Sequence, residues 1–108
     1  MRLNRRDEAL DEFRKAAELE PDQARYAYVY AVGLHSSGRQ SDAIKILKDN
    51  LSRHPADRDI LLALINFNRE TGDLSAALKY AEQLAAVEPT NQDLANLVQE
   101  LRRQNEKP

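Results

Sequence analysis

Three prolines, Pro21, Pro55 and Pro89, stand 34 residues apart in a chain of 108. Ala9, Ala43 and Ala77 keep the same step, and so do Gly38 and Gly72. Each residue type has a distinct mechanical job. Glycine reaches the positive φ that a turn between two helices needs. Alanine lets two helices approach where a larger side chain would overpack, at about 1–3 kcal/mol. Proline pushes the residue before it out of the α region and so ends a helix. A chain that holds all three in one frame reads as a stack of similar helical hairpins.

The bulk numbers narrow the function classes. Sixteen basic and 18 acidic side chains leave a formal charge of −2. That balance lacks the basic excess of a nucleic-acid footprint, so no nucleic-acid partner is expected. No run of 18 apolar residues offers a membrane span, and no membrane partner is expected. Arg2, Arg5 and Arg6 are not followed by an apolar stretch, so the start does not read as a secretory signal. Cysteine is absent, which excludes disulfides, thiolate metal sites, covalent haem attachment and a cysteine nucleophile from this chain. Three glycines, no tryptophan and abundant Ala, Leu, Arg and Glu favour helix over sheet.

The apolar periodicity predicts six helices. The first covers residues 7–19, with Leu10, Phe13, Ala17 and the Ala9/Ala16 pair inward. Asp7 and Glu8 fall in its first turn, and Asp11 and Lys15 suit an i,i+4 ion pair. The second covers 24–37, with Ala27, Tyr30, Ala31 and Leu34 inward and Gly38 ending it. The third covers 41–53, with Ala43, Ile44, Leu47 and Leu51 inward and Ser41 or Asp42 as cap or first-turn residue. The fourth covers 58–71 (Leu61, Leu64 and Ile65 inward), ended by Gly72. The fifth covers 75–87 (Ala77, Leu78, Ala81, Leu84 and Ala85 inward), closed by Pro89. The sixth covers 92–104, with Leu94, Leu97, Val98 and Leu101 on one face and Asp93, Gln99, Glu100, Arg102 and Arg103 opposite. That polar side suits a terminal helix with no neighbour to cover it.

On these residues the chain resembles the tetratricopeptide repeat (TPR) family, whose pattern is W-x2-L-G-x2-Y … A-x3-F … P over 34 residues. Ala9, Phe13, Ala16 and Pro21 match its second half best. Ala43, Leu47, Asn50 and Pro55, and Ala77, Ala81, Leu84 and Pro89, match with substitutions. The first half is degenerate: Ala27 and Leu61 stand at the Trp, Tyr30 and Leu64 at the Leu, Ala31 and Ile65 at the small residue, Leu34 and Asn68 at the Tyr. The resemblance implies an all-α, TPR-like α-α superhelix. Its register divides the chain into a partial first repeat (1–22, second helix only), repeats at 23–57 and 58–91, and a C-terminal capping helix and tail (92–108). With no first helix before residues 7–19, the Tyr26/Tyr30 side of the second helix is expected to be partly uncovered, and this end to fray or to pack on another copy. The chain thus reads as the end of a longer array.

The resemblance further implies that the first helix of each hairpin lines a concave surface. Steps of three, four and three then select Arg25, Tyr28, Val32 and His35 on the second helix. They select Asp59, Leu62, Asn66 and Arg69 on the fourth, and Asp93, Asn96, Glu100 and Arg103 on the sixth. The expected peptide or partner groove comprises Arg25, Tyr28, Val32, His35, Leu62, Asn66, Arg69, Asn96 and Arg103. Asn66 and Asn96 suit a peptide backbone, and Arg69 and Arg103 an acidic side chain or terminus. The family's specialised clamp for a chaperone C-terminus uses Lys and Asn on successive first helices. Here Tyr28, Val29, Val32 and Ala63 occupy that face, with Asn66 alone in keeping, so the clamp is not expected.

Other constellations carry little chemistry. His35 and His54 are the only histidines, sit at separate edges, and read as surface residues rather than as a metal pair. The serines occupy turns and caps, with no Ser-His-Asp arrangement. Ser36-Ser37-Gly38-Arg39 lacks the residues of a phosphate loop. Asn50 and Asn68 stand where the family buries small or aromatic apolar side chains, and an amide there is expected to bond a nearby backbone carbonyl. No catalytic residue, cofactor or metal site follows from the sequence.

The resemblance therefore implies a non-enzymatic protein–protein interaction scaffold whose partner is a protein or peptide. Two alternatives accompany it. One is self-association, a homo-oligomer through the N-terminal end. The other is an accessory segment of a larger redox protein. Tyr26–Arg39 (YAYVYAVGLHSSGR) and His54–Asp73 (HPADRDILLALINFNRETGD) resemble the C-terminal repeat segment of bacterial multihaem-cytochrome-type proteins, although no C-x-x-C-H motif occurs here. The cytoplasm is the default compartment, and the periplasm would follow from a cytochrome-type parent.

Overall fold

The computed structural model describes the backbone of residues 2–106 and the side chains of residues 7–106. The tail positions 107 and 108 and the first residue lie outside the described set. Among the described residues six α-helices follow one another: α1 (Arg2–Leu19), α2 (Ala24–Ser36), α3 (Gln40–Arg53), α4 (Arg58–Glu70), α5 (Leu74–Val87) and α6 (Gln92–Glu106). Among the described residues there is no strand, and no helix is long and apolar enough to cross a membrane.

The ends of the helices follow the local chemistry. Gly38 and Gly72 take φ of 82° and 84°, in the left-handed region that side chains disfavour. Each glycine lets the chain fold back on the preceding helix. The N–H of Arg39 reaches the Leu34 carbonyl at 2.9 Å, and that of Asp73 the Asn68 carbonyl at 2.8 Å. These bonds satisfy carbonyls that the last helical turn leaves free. The next helix starts at once: Asp73 Oδ1 accepts from the Ala76 N–H at 3.0 Å. Asp57 caps α4 through the Ile60 N–H in the same way. Pro21, Pro55 and Pro89 all lie in the turns between helices.

Two boundaries differ from expectation. Helix α1 starts at Arg2 rather than at residue 7, because nothing between Arg2 and Asp7 breaks a helix; Asp7 and Glu8 therefore lie beyond its first turn. Helix α3 starts at Gln40, with Arg39 at the N-cap position and no side-chain cap. Asp42 stands in its first turn, where its carboxylate pairs with Arg39 at 2.9 Å.

The chain forms two compact units, Met1–Pro55 and Ala56–Pro108. In the first, α2 lies in the middle and contacts both α1 and α3, whose Cα atoms stay more than 8 Å apart. Ala31, Leu34, Ala43 and Leu47 form the core of this unit. Helix α1 reaches α2 at Gly33, where a Cβ would lie 2.9 Å from Leu10 Cδ2 and 3.4 Å from Phe13 Cδ2. Asn50 is buried, and its Nδ2 donates to the Ala24 carbonyl at 3.2 Å, joining the end of α3 to the start of α2. Asp11 forms the expected ion pair with Lys15 at 3.2 Å and a shorter one with Arg14 at 2.6 Å. These two cations, Arg14 first, hold its carboxyl below the usual carboxylate range.

In the second unit α5 is the middle helix, contacting α4 and α6. Ile60, Leu61, Leu64, Ile65, Ala77, Ala81, Leu84 and Leu101 are fully buried. Ion pairs link Arg58 to Glu88 at 2.7 Å and Arg102 to Glu82 at 2.8 Å. Asn91, then Arg58, hold the Glu88 carboxyl below its ordinary range. Asn105 Nδ2 donates to the Leu74 carbonyl at 3.0 Å, securing the end of α6 to the start of α5. Tyr80 is buried with the Lys79 ammonium 5.5 Å from its ring centroid; burial, then the Asp73 carboxylate, pushes its hydroxyl pKa up.

Several inward assignments need correction. Ala43 and Ala77 are fully buried, but Ala9, in the same frame, is exposed. Its helix contacts α2 alone, so the face of α1 that carries Ala9 has no second helix against it. Ala27 and Tyr30 are partly open rather than enclosed, and Tyr26 is 40% exposed, in line with the expected opening on that side of α2. Ile44, Leu51, Leu78, Ala85 and Leu97 are half-buried. The amide of Asn68, like that of Asn50, bonds a backbone carbonyl: its Nδ2 donates to Leu64 O at 2.8 Å. His54 is not a simple surface residue, since its Nε2 is enclosed and has no hydrogen-bond partner.

Candidate functional site

The residues expected to line a groove lie on exposed or half-exposed parts of three helices. On α2, Arg25 and Val32 are exposed and Tyr28 and His35 are partly buried. At 100° per residue these four share one side of the helix, away from the buried Ala31 and Leu34. On α4, Leu62 is half-buried, whereas Asn66 and Arg69 are exposed. On α6, Asn96 and Arg103 are exposed. Asn96 Oδ1 accepts from Gln92 Nε2 at 3.1 Å, and Arg103 forms an ion pair with Glu100 one turn away. Both are solvated intrahelical contacts of small energy, which a partner can replace.

Within the first unit each of these α2 residues stands beside the others on one helix face. Within the second, Leu62, Asn66 and Arg69 share a face of α4, and Asn96 and Arg103 a face of α6, with both helices carried by α5. These faces carry amides, which can donate and accept, guanidinium groups, which can bond carboxylates, and the apolar surface of Tyr28, Val32 and Leu62. Among the described residues no group of three or more His, Cys, Asp or Glu comes together to hold a metal.

A second feature arises only from the packing of the helices. In the first unit α1 and α3 both lie on α2 with no Cα atoms of the two within 8 Å of each other, and the furrow between them forms an open cavity of about 680 Å³. Its apolar lining includes Ala17, Pro21, Ala27, Tyr30 and Ile46, and charged groups from α1 and α3 stand at its sides. A smaller hollow of about 340 Å³ adjoins it, sharing Arg14 and Tyr30. The one sign of it in the sequence is alanine at position 27, where the repeat pattern has its largest side chain. Whether alanine there leaves a hollow depends on what the neighbouring helices supply.

Successive helical hairpins with glycine turns and proline breaks, small residues at the helix contacts and open helix faces define an α-helical repeat protein. The model of the Tetratricopeptide repeat family matches residues 34–101, more than half the chain. The chain belongs to the tetratricopeptide repeat family. No curated protein sequence matches it.

Proposed function

We propose that the chain is a non-enzymatic interaction module that binds a peptide or partner domain through the exposed faces of α2, α4 and α6. The family generally binds protein or peptide partners and is generally non-catalytic. The observation that carries the reading is the exposure of Arg25, Val32, Asn66, Arg69, Asn96 and Arg103 on helices whose other sides supply the core. Polar and apolar groups at such spacing suit side-chain recognition and are not needed to hold the fold. Replacing the exposed Arg25 and Arg69 together by alanine is therefore expected to abolish retention of the partner in a pull-down and to shift the thermal melt by no more than about 4–8 °C, since surface changes are worth about 0.5 kcal/mol or less each. Retention unchanged in that variant would sink the proposal.

A second reading, self-association through α1, is favoured by one observation. Leu19 is 80% exposed and Ala9 is exposed on the same helix. Under that reading, light scattering finds a mass that rises with concentration, and Leu19→Glu returns it to the monomer value; a constant monomer mass excludes it. Nothing in the family match or in the described residues favours the resemblance to multihaem-cytochrome-type proteins.

A further inference from the structure

The furrow between α1 and α3 lies on the side of α2 roughly opposite Tyr28 and Val32, and it is independent of the faces proposed above. Its floor is short of side-chain volume. The 34-residue frame pairs Ala27 with Leu61 and Asn50 with Leu84. Leu61 and Leu84 are fully buried in the second unit, while Ala27 leaves its part of the first unit partly open. Ala17 on α1 adds a second small residue to the lining. The result is an open hollow with an apolar floor and charged sides, in the size range of side-chain and ligand pockets, about 300–1,000 Å³.

The two walls each carry a cation and an anion and differ in how these are paired. On α1, Arg14 is already occupied, bonded to Glu18 at 2.9 Å and to Asp11 at 2.6 Å. On α3, Asp49 and Arg53 line the cavity, and neither side chain has a hydrogen bond or ion pair among the described residues. They stand four residues apart, about 6 Å along the axis at 1.5 Å per residue. An incoming segment with a cation and an anion at that pitch would pair with both.

We propose that this furrow receives a helical segment of a partner protein. The segment carries one aromatic side chain, seated over Ala17 and Ala27, between a Lys or Arg that meets Asp49 and an Asp or Glu that meets Arg53. A helix fits better than an extended strand. The walls are helices whose backbone groups bond internally, so a strand's free N–H and C=O groups would find few partners there. A helix brings its own backbone bonds and needs only side-chain recognition.

The test uses an alanine-based helical peptide with a single Trp and with Lys and Glu four residues apart on the Trp face. The protein contains no Trp, so emission of that ring reports the peptide alone. The expected result is a saturable blue shift. Ala27→Leu fills the hollow and weakens binding at least about tenfold, with the thermal melt equal to or above the parent's. Asp49→Lys with Arg53→Glu, both on the rim, weakens it similarly, and a peptide with Lys and Glu exchanged restores it. The proposal is overturned by no saturable shift up to about 1 mM peptide, or by equal binding in the rim variant. It is also overturned if N-acetyltryptophanamide saturates the site at the same concentration as the peptide, which would make the furrow a site for a free aromatic molecule. Should Ala27→Leu fail to fold, the rim variant and the exchanged peptide decide the matter.

Discussion

Leu64→Ala is expected to lower the unfolding free energy by about 2–5 kcal/mol, the range for removing a large aliphatic side chain from a core that cannot collapse around the gap. Leu64 is fully buried, and so are Leu61, three residues before it, and Ile65, next to it. Both the lost transfer energy and the cavity term therefore apply in full. Urea denaturation followed by circular dichroism measures the change as a lower midpoint with little change in slope. Leu62→Ala is the comparison. Leu62 is only half-buried, so less apolar area leaves water on folding, and its cost is expected to be less than half that of Leu64→Ala. A cost at Leu62 equal to that at Leu64 would contradict the burial pattern of α4. The pair also separates fold from function, since Leu62 belongs to the proposed partner surface and Leu64 does not.

The second large effect comes from enlarging the framed alanines. Ala43→Leu and Ala77→Leu are each expected to cost about 1–3 kcal/mol, because both sites are fully enclosed and three added heavy atoms have no space to enter. Ala9→Leu, in the same sequence frame, is expected to change stability by about 0.5 kcal/mol or less, because Ala9 is exposed. Thermal melts of the three variants test this directly. Equal losses at all three sites would mean that Ala9 is enclosed as the other two are. The prediction is sharp because sequence frame and helix propensity treat the three alanines alike, and only their neighbours differ.

The contrast among those alanines shows which parts of the protein are legible without coordinates. Helix ends were legible because they are set within a few residues. A glycine at positive φ, an aspartate accepting from the N–H three positions on, or a proline in a turn acts locally, whatever lies across the fold. Leu61, Leu64 and Ile65 of α4 and Ala77, Ala81 and Leu84 of α5 were legible for a related reason: a strong apolar stripe must find cover; Ile60, equally buried, was not among them. Some local signals still went unread. The caps at Asp57 and Asp73 follow the ordinary N-cap rule, and the early start of α1 follows from the lack of any breaker after Arg2.

The site was legible to a different degree. The exposed positions of α2, α4 and α6 could be selected by helical steps, because exposure on a helix follows the same period as burial. The furrow could not. It exists because α1 and α3 both pack on α2 with their backbones held apart, and because Ala17 and Ala27, on different helices, are small at one place. The amide partners were legible in part: a backbone carbonyl was expected for both, but not where in the chain it would lie. Asn50 stands 26 positions from the carbonyl it bonds, whereas Asn68 bonds one turn back within α4.

By itself the sequence determined the period, the number of helices, where they stop, and membership of a repeat architecture. These depend on backbone restrictions at Gly and Pro and on the spacing of apolar residues, both properties of short stretches. Only the tertiary structure decided which members of an identical frame are buried, that Gly33 is where α1 comes close to α2, and that a hollow opens between α1 and α3. Those outcomes depend on how closely one helix approaches another, and that distance is set jointly by side chains far apart in the chain.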